Sequence, residues 1–174
     1  KALIIAPYLV ASDHASKLLK YLGYKHISLF LPWESSKLLL SNDEAQLRNG
    51  LSGSWRGSLR KGVKSGIIIN RREINEPFKL WIKGAYFKFQ LDKGFIGLPS
   101  ELLQQLLNQP ENGNSWKLNV YTAHLSQDFE LENSIGTLIS VESGDTATYL
   151  LSMTTDSGRQ FQANYVLLWR AILD

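Results

Sequence analysis

The sequence predicts an α/β (α+β) protein with an antiparallel centre, and three observations predict it. Two helical stretches, one with apolar positions at Phe78, Trp81, Ile82, Ala85 and Phe89 and one from Glu101 to Asn108, come first. Three strand-like runs follow, Trp116–Ala123, Ser134–Val141 and Thr146–Met153, the last two joined by a hairpin turn at Ser143-Gly144-Asp145. A helical repeat at Ala163, Val166, Leu167, Arg170 and Ala171 then closes the chain. Strands that follow one another directly pair antiparallel, and helices before and after them cover the faces.

Composition sets the outer limits. At 174 residues the chain is long enough for one domain or two small ones. It has no cysteine, which removes disulfides, thiolate metal sites and a cysteine nucleophile, and is compatible with a reducing cytoplasm. No segment approaches the roughly 18–20 uninterrupted apolar residues of a membrane span. The chain opens on a strand-like run and stops inside a helical one, as expected of a piece cut from a longer protein at both ends.

Earlier in the chain the elements are shorter. Ala2 to Ala6 reads as a strand closed by Pro7. Ser12 or Asp13 caps a helix with Ala15, Leu18, Leu19 and Leu22 as apolar positions, ended by Gly23. His26–Leu31 and Trp33–Leu40 read as strands around Pro32. Ser41-Asn42-Asp43-Glu44 has the form of a capping box starting a helix through Leu47, and Gly50 and Gly53 break the pattern. The polar run Asn70 to Pro77 marks the expected domain boundary, giving 1–72 and 73–174. Pro77 suits the first turn of the next helix, and a loop from Asp92 to Pro99 follows that helix. Asn112-Gly113-Asn114 reads as a turn.

The stretch Ser54–Asn70 carries the clearest chemical signal. Ser54 is placed to cap a helix in which Trp55, Leu59 and Val63 form one stripe and Arg56, Arg60 and Lys64 a neighbouring one, with Lys61 beside them. Gly66 suits a left-handed helix end, and Ile67-Ile68-Ile69 reads as a buried strand. From Trp55 to Arg72 there are six basic residues and no acid, whereas the whole chain is only +3. Cations at this spacing can hold a pyrophosphate or a nucleic-acid backbone. The same pattern also describes a surface helix that keeps its charges in water. Gly57, Gly62, Lys64 and Ser65 nearly spell a phosphate loop. The spacing is one residue off, and the lysine falls at a helix C-terminus, which offers carbonyls.

Other candidates are sparser. Thr155-Asp156-Ser157-Gly158-Arg159 joins a strand to a helix expected from about Gln160, a junction that can present N–H groups to an anion or simply connect. His14, His26 and His124 lack metal-ligand spacing. No nucleophile elbow is present. Tyr149 stands mid-strand among apolar neighbours and reads as core, as do Trp81 and Trp169.

Several motifs occur together in order. They are Leu47-Arg48-Asn49-Gly50-Leu51 with Trp55-Arg56-Gly57-Ser58-Leu59-Arg60-Lys61 and Lys64-Ser65-Gly66, then Lys93-Gly94-Phe95-x-Gly97-x-Pro99. Gly136-Thr137-Leu138, Ala147-Thr148-Tyr149-Leu150, Gly158-Arg159 and Ala163-Asn164-Tyr165-x-Leu167-Leu168-Trp169-Arg170-Ala171 follow. This series resembles the FemAB-type peptidoglycan aminoacyltransferases, the methicillin-resistance-type proteins, with Gly62 where the family has alanine. The resemblance implies tandem GCN5-related N-acetyltransferase-like domains, here incomplete at both ends. It implies transfer of an amino acid from aminoacyl-tRNA to the stem peptide of a peptidoglycan precursor, building cell-wall interpeptide bridges, with no cofactor and no metal. The implied location is the cytoplasm, with contact at the inner face of the membrane through a lipid-linked substrate. It points to Arg56, Arg60, Lys61, Lys64, Tyr149 and Arg159 as substrate-binding residues and to no particular catalytic base. An acyl-CoA-dependent N-acyltransferase acting on an envelope sugar or amine is the alternative. The segment Asp156–Ala163 has one glycine and does not match the acyl-CoA pyrophosphate pattern, which favours the aminoacyl-tRNA donor.

Overall fold

A computed structural model of the chain describes residues 12–25, 37–41, 43–109 and 115–174. The strands expected over 2–6 and 26–31, most of that over 33–40, and the turn at 112–114 lie outside them. The chain divides into two compact units, Lys1–Leu39 and Leu40–Asp174. In the first, α1 (Asp13–Tyr21) is capped by the Ser12 hydroxyl, which accepts from the Ala15 N–H at 3.1 Å. Gly23 follows it with φ +86°.

The second unit is a mixed α/β body. Its sheet has four strands, β1 (Ile68–Arg72), β2 (Trp116–His124), β3 (Gly136–Ser143) and β4 (Thr146–Thr154), antiparallel and in sequence order. Around it stand α2 (Glu44–Gly50), α3 (Gly53–Lys64), α4 (Glu76–Lys93), α5 (Ser100–Leu107), α6 (Asp156–Gln160) and α7 (Ala163–Leu173). The expected division at 72/73 runs through this unit, because β1 pairs with β2 from Ile68↔His124 to Arg72↔Val120.

The period-two alternation of the strands separates two cores. On one face Val120, Ile139, Leu151 and Met153 meet Phe78, Ile82 and Tyr86 of α4 and Leu103 and Leu107 of α5. On the other, Tyr121, Ala123 and Leu138 meet Ala163 and Leu167 of α7. A third cluster joins α7 to α2 and α3 through Leu47, Leu59, Val166 and Trp169, with Trp55 edge-on to Tyr165 and Trp169.

Several local expectations shift. The α2 cap is Asp43 instead of Ser41: its carboxylate accepts from Ala45 and Gln46, and the Ser41 hydroxyl donates to the Gln46 side chain. The α3 cap is Ser52 instead of Ser54, its hydroxyl accepting from the Trp55 N–H at 3.3 Å. Val63 is 55% exposed, and Gly62 takes its place against α7. A four-residue spacing drifts by about 40° per step on a 3.6-residue helix, so the third member of the stripe has turned roughly 80° outward. The isoleucine strand begins one residue later than expected, and its residues are half-buried because β1 is a sheet edge. Gly66 has φ +72°, as a left-handed helix end requires.

Candidate functional site

A concavity lies where β4 passes into α6. A cavity of about 610 Å³ opens between α4 and the end of the sheet. Its α4 wall carries Trp81, Ala85, Lys88, Phe89, Asp92 and Lys93. The 3₁₀ turn Leu131–Asn133 supplies Leu131 and Glu132, β3 and its approach supply Ser134, Gly136 and Thr137, and the β4–α6 corner supplies Thr154, Thr155, Asp156 and Arg159. A second cavity of about 430 Å³ shares Phe89, Thr154 and Arg159 with it and adds Tyr149, Ser152, Gly158, Gln162, Asn164 and Tyr165. Because β4 is a sheet edge, this second space wraps it, with Phe89 from the α4 side and Asn164 from α7.

The corner is held by a dense set of bonds. Thr155 caps α6 by accepting from the Gly158 N–H at 3.0 Å. The Thr155 N–H and hydroxyl both donate to the Ile135 carbonyl, at 3.1 and 3.3 Å. The Arg159 guanidinium donates to the Thr154 carbonyl at 3.0 Å and pairs with Asp156. Gln162 breaks the helix between α6 and α7 with φ +63°. The expectation of a loop feeding one helix from Gln160 is therefore corrected: two helices meet at Gln162. Gly158 is not a turn residue; it lies buried inside α6 against Ile135.

These bonds change the electrostatic reading of the junction. The Gly158 N–H is taken by Thr155, and Asp156 partly neutralises Arg159. The larger cavity carries Lys88, Lys93 and Arg159 against Asp92, Glu132 and Asp156. Its charges balance, and its apolar wall is Trp81, Phe89 and Met153. Such a lining suits a ligand that bears both an amine and carboxylates beside apolar groups better than it suits a polyphosphate.

Of the residues the sequence singled out, the structure brings Tyr149 and Arg159 to one cavity. Tyr149 is not core: it is 50% exposed. Burial of its ring still raises its pKa from the ordinary 10.0, with Ser152 acting against the rise and Tyr86 adding to it. The β3–β4 register skips Leu150, pairing Ile139 with Leu151 but Ser140 with Tyr149, and this bulge changes the alternation there. Arg56, Arg60, Lys61 and Lys64 line neither cavity. They sit on α3, which packs on α7 through Trp55 and Leu59. The Arg56 guanidinium donates to the Asn49 carbonyl at 3.0 Å, closing the end of α2. Arg60, Lys61 and Lys64 are exposed and make no ion pair with the described residues.

Sequence reasoning missed the α4 wall. The pattern does not single out Lys88 and reads Asp92 and Lys93 as the start of a loop, whereas α4 runs through Lys93 and carries them beside Phe89, one of the apolar positions identified on that helix. It also missed a buried polar group on the same face of the sheet, toward the β1 edge. Arg72 Nε donates to Thr122 Oγ1 at 3.2 Å, and His124 Nε2 lies 2.9 Å from the same oxygen. His124 is fully buried, and among the described residues Arg72 Nη2 is buried without a hydrogen-bond partner. Burial pushes His124 below its ordinary 6.5 and the Arg72 charge adds to this, while Asp128 acts the other way. Opposite, Tyr121 is pushed up to about 12, first by burial and then by the Asp174 carboxylate it bonds.

Among the described residues no helix is long and apolar enough to cross a membrane, and no group of three or more acidic or histidine side chains forms a metal cluster. No family model matches the chain, and no curated protein matches it significantly.

Proposed function

We propose that the chain belongs to an aminoacyltransferase of FemAB type, with tandem acetyltransferase-like domains, that joins an amino acid to an amine of a peptidoglycan precursor. The single observation that best supports this reading is the charge-balanced cavity at the β4–α6 corner, lined by Arg159 and adjoining Tyr149. A stem peptide offers an amine, carboxylates and short apolar side chains, which the lysines, carboxylates and aromatic wall of that cavity match. The run of β2, β3, β4 and then α6 and α7 supports an acetyltransferase-like core.

In this reaction the acceptor amine attacks the ester carbon of aminoacyl-tRNA. The N–C bond forms, the ester C–O bond breaks, the amine gives up a proton and the ribose oxygen takes one. The protein's contribution is to align amine and ester and to receive the proton. Asp92 and Glu132 line the cavity, make no ion pair with the described residues and would be the carboxylates that take it. Arg60, Lys61 and Lys64 would meet the tRNA backbone, and Arg56 supports their helix from its inner edge. A cytoplasmic site of action, near the membrane where a lipid-linked precursor lies, follows from the same reading.

The test is incubation of purified protein with lipid-linked or nucleotide-linked muropeptide, charged tRNA and, separately, acyl-CoA. Transfer of the aminoacyl group, reduced about tenfold or more by Arg159→Ala, is the expected result. Turnover of acyl-CoA without aminoacyl transfer would replace this reading with the acyl-CoA-dependent one.

A further inference from the structure

Three aromatic side chains from three different elements converge on the smaller cavity. Phe89 comes from α4, Tyr149 from β4 and Tyr165 from α7. None is fully buried, and Tyr149 is 50% exposed. Each is held by a neighbour. The Phe89 ring stands edge-on to Phe95 with centroids 5.7 Å apart, and the Tyr165 ring edge-on to Trp55 at 5.3 Å. The Tyr149 hydroxyl bonds Ser152. Rings fixed in this way lose little freedom when a flat ligand enters between them.

The polar part of the lining is close to neutral. Among the described residues it holds no acid, and its one cation, Arg159, is paired with Asp156. Two amides complete it. Gln162 Nε2 donates to the Arg159 carbonyl at 3.0 Å. A carbonyl only accepts, so the amide orientation is fixed and Gln162 Oε1 is left as an acceptor. Ser152 Oγ donates to Asn164 Oδ1 at 2.8 Å, which leaves the Asn164 Nδ2 hydrogens as donors. The left-handed backbone of Gln162 separates α6 from α7 and brings both amides to this cavity.

We propose that the smaller cavity is a nucleobase site. It takes an adenine ring against Tyr149, Tyr165 and Phe89, with Gln162 Oε1 accepting from the exocyclic amine and Asn164 Nδ2 donating to a ring nitrogen. Aromatic walls take a base by its π-face, and an amide donor and acceptor meet the donor–acceptor edge of adenine. The volume of about 430 Å³ is that of a small-molecule site. A sugar would use one aromatic wall, but its many hydroxyls call for carboxylate acceptors, which this lining lacks. A charged peptide or a polyphosphate calls for unpaired charges. The proposal rests on the lining of this cavity and not on the acyl-transfer reading, so free adenosine tests it without any transfer.

The experiment is a titration of the purified chain with adenosine, with dimethyladenosine, whose exocyclic amine carries no hydrogen, and with N-acetylglucosamine, followed by saturation-transfer NMR. Adenosine is expected to bind. Tyr149→Ala should weaken it at least about tenfold through lost stacking, while Tyr149→Phe stays within about twofold. Dimethyladenosine should bind about fivefold more weakly than adenosine, and Asn164→Ala should lower adenosine affinity to a similar extent. Tyr149 and Asn164 are exposed, and an unchanged thermal midpoint verifies folding. Absence of adenosine binding by the unaltered chain at millimolar concentration would overturn the proposal. So would undiminished binding by the folded Tyr149→Ala variant, equal binding of dimethyladenosine, or binding of N-acetylglucosamine alone.

Discussion

Gly158 packs directly on the carbonyl oxygen of Ile135, so closely that a Cβ at this position would overlap that oxygen. The same carbonyl accepts from both the backbone and the hydroxyl of Thr155. One oxygen therefore ties the start of β3 to the corner that shapes the candidate site. Gly158→Ala is expected to destabilise the protein by about 3 kcal/mol, because backbone on both sides must move. Urea denaturation measures this. A loss below about 1 kcal/mol would mean that the corner yields easily.

Gly62 lies against α7 in a similar way. A Cβ there would stand 2.5 Å from Val166 Cγ2 and 3.1 Å from the Gln162 carbonyl oxygen. Alanine gains about 1 kcal/mol over glycine in helix propensity, but the clash meets a buried, β-branched side chain with little rotamer freedom. Gly62→Ala should be net destabilising by about 1 kcal/mol in thermal or urea unfolding. Pairing it with Val166→Ala should lessen the penalty, since the clashing methyl is removed.

His124 gives the protein a pH dependence of known sign. Its folded pKa is below the ordinary 6.5, so the unfolded chain binds more protons in the window beneath 6.5. Stability is complete above the unfolded value and falls as pH drops through it, by at most about 1.4 kcal/mol per pH unit from this group. Comparing unfolding free energies at pH 7.5 and pH 5.5 for the unaltered protein and His124→Gln checks this. The variant should lose less stability over the interval. Equal losses would show that His124 titrates alike in both states.

The cations of α3 can be tested apart from catalysis. Arg60, Lys61 and Lys64 are exposed, so Arg60→Ala with Lys64→Ala should leave the thermal midpoint within a few degrees. If they meet tRNA phosphates, the slope of log affinity against log salt should shrink by about two, one for each cation removed. Filter binding or anisotropy with tRNA across a salt series measures it. An unchanged slope would remove α3 from the RNA-binding surface.

Much of the described fold was legible from local pattern. The three consecutive strands, their hairpin at Gly144, the helix after Asn75 up to about Phe89, the helix that follows Pro99 and the left-handed Gly66 all follow from period, turn chemistry and helix-end preferences. These signals depend on residues a few positions apart. The site was less legible. Arg159 and Tyr149 were named, but their common cavity depends on β4 ending where α4 runs past it, a relation between residues some sixty positions apart.

The sequence by itself determined the helical or extended character of most described elements of the second unit, that the positive charge concentrates over 55–72, and that no cysteine chemistry operates in this chain. Tertiary packing decided the rest. It turned Val63 outward and put Gly62 against α7. It brought β1 into the sheet with β2, and buried Gly158 inside a helix where a turn was expected. It also brought Lys88, Asp92 and Lys93 of α4 to the corner that holds Asp156 and Arg159, converting an expected anion cradle into a charge-balanced cavity. The physical reason is common to all of these. Propensity and periodicity act along the chain, whereas burial, close approach and charge pairing depend on neighbours that only the folded packing supplies.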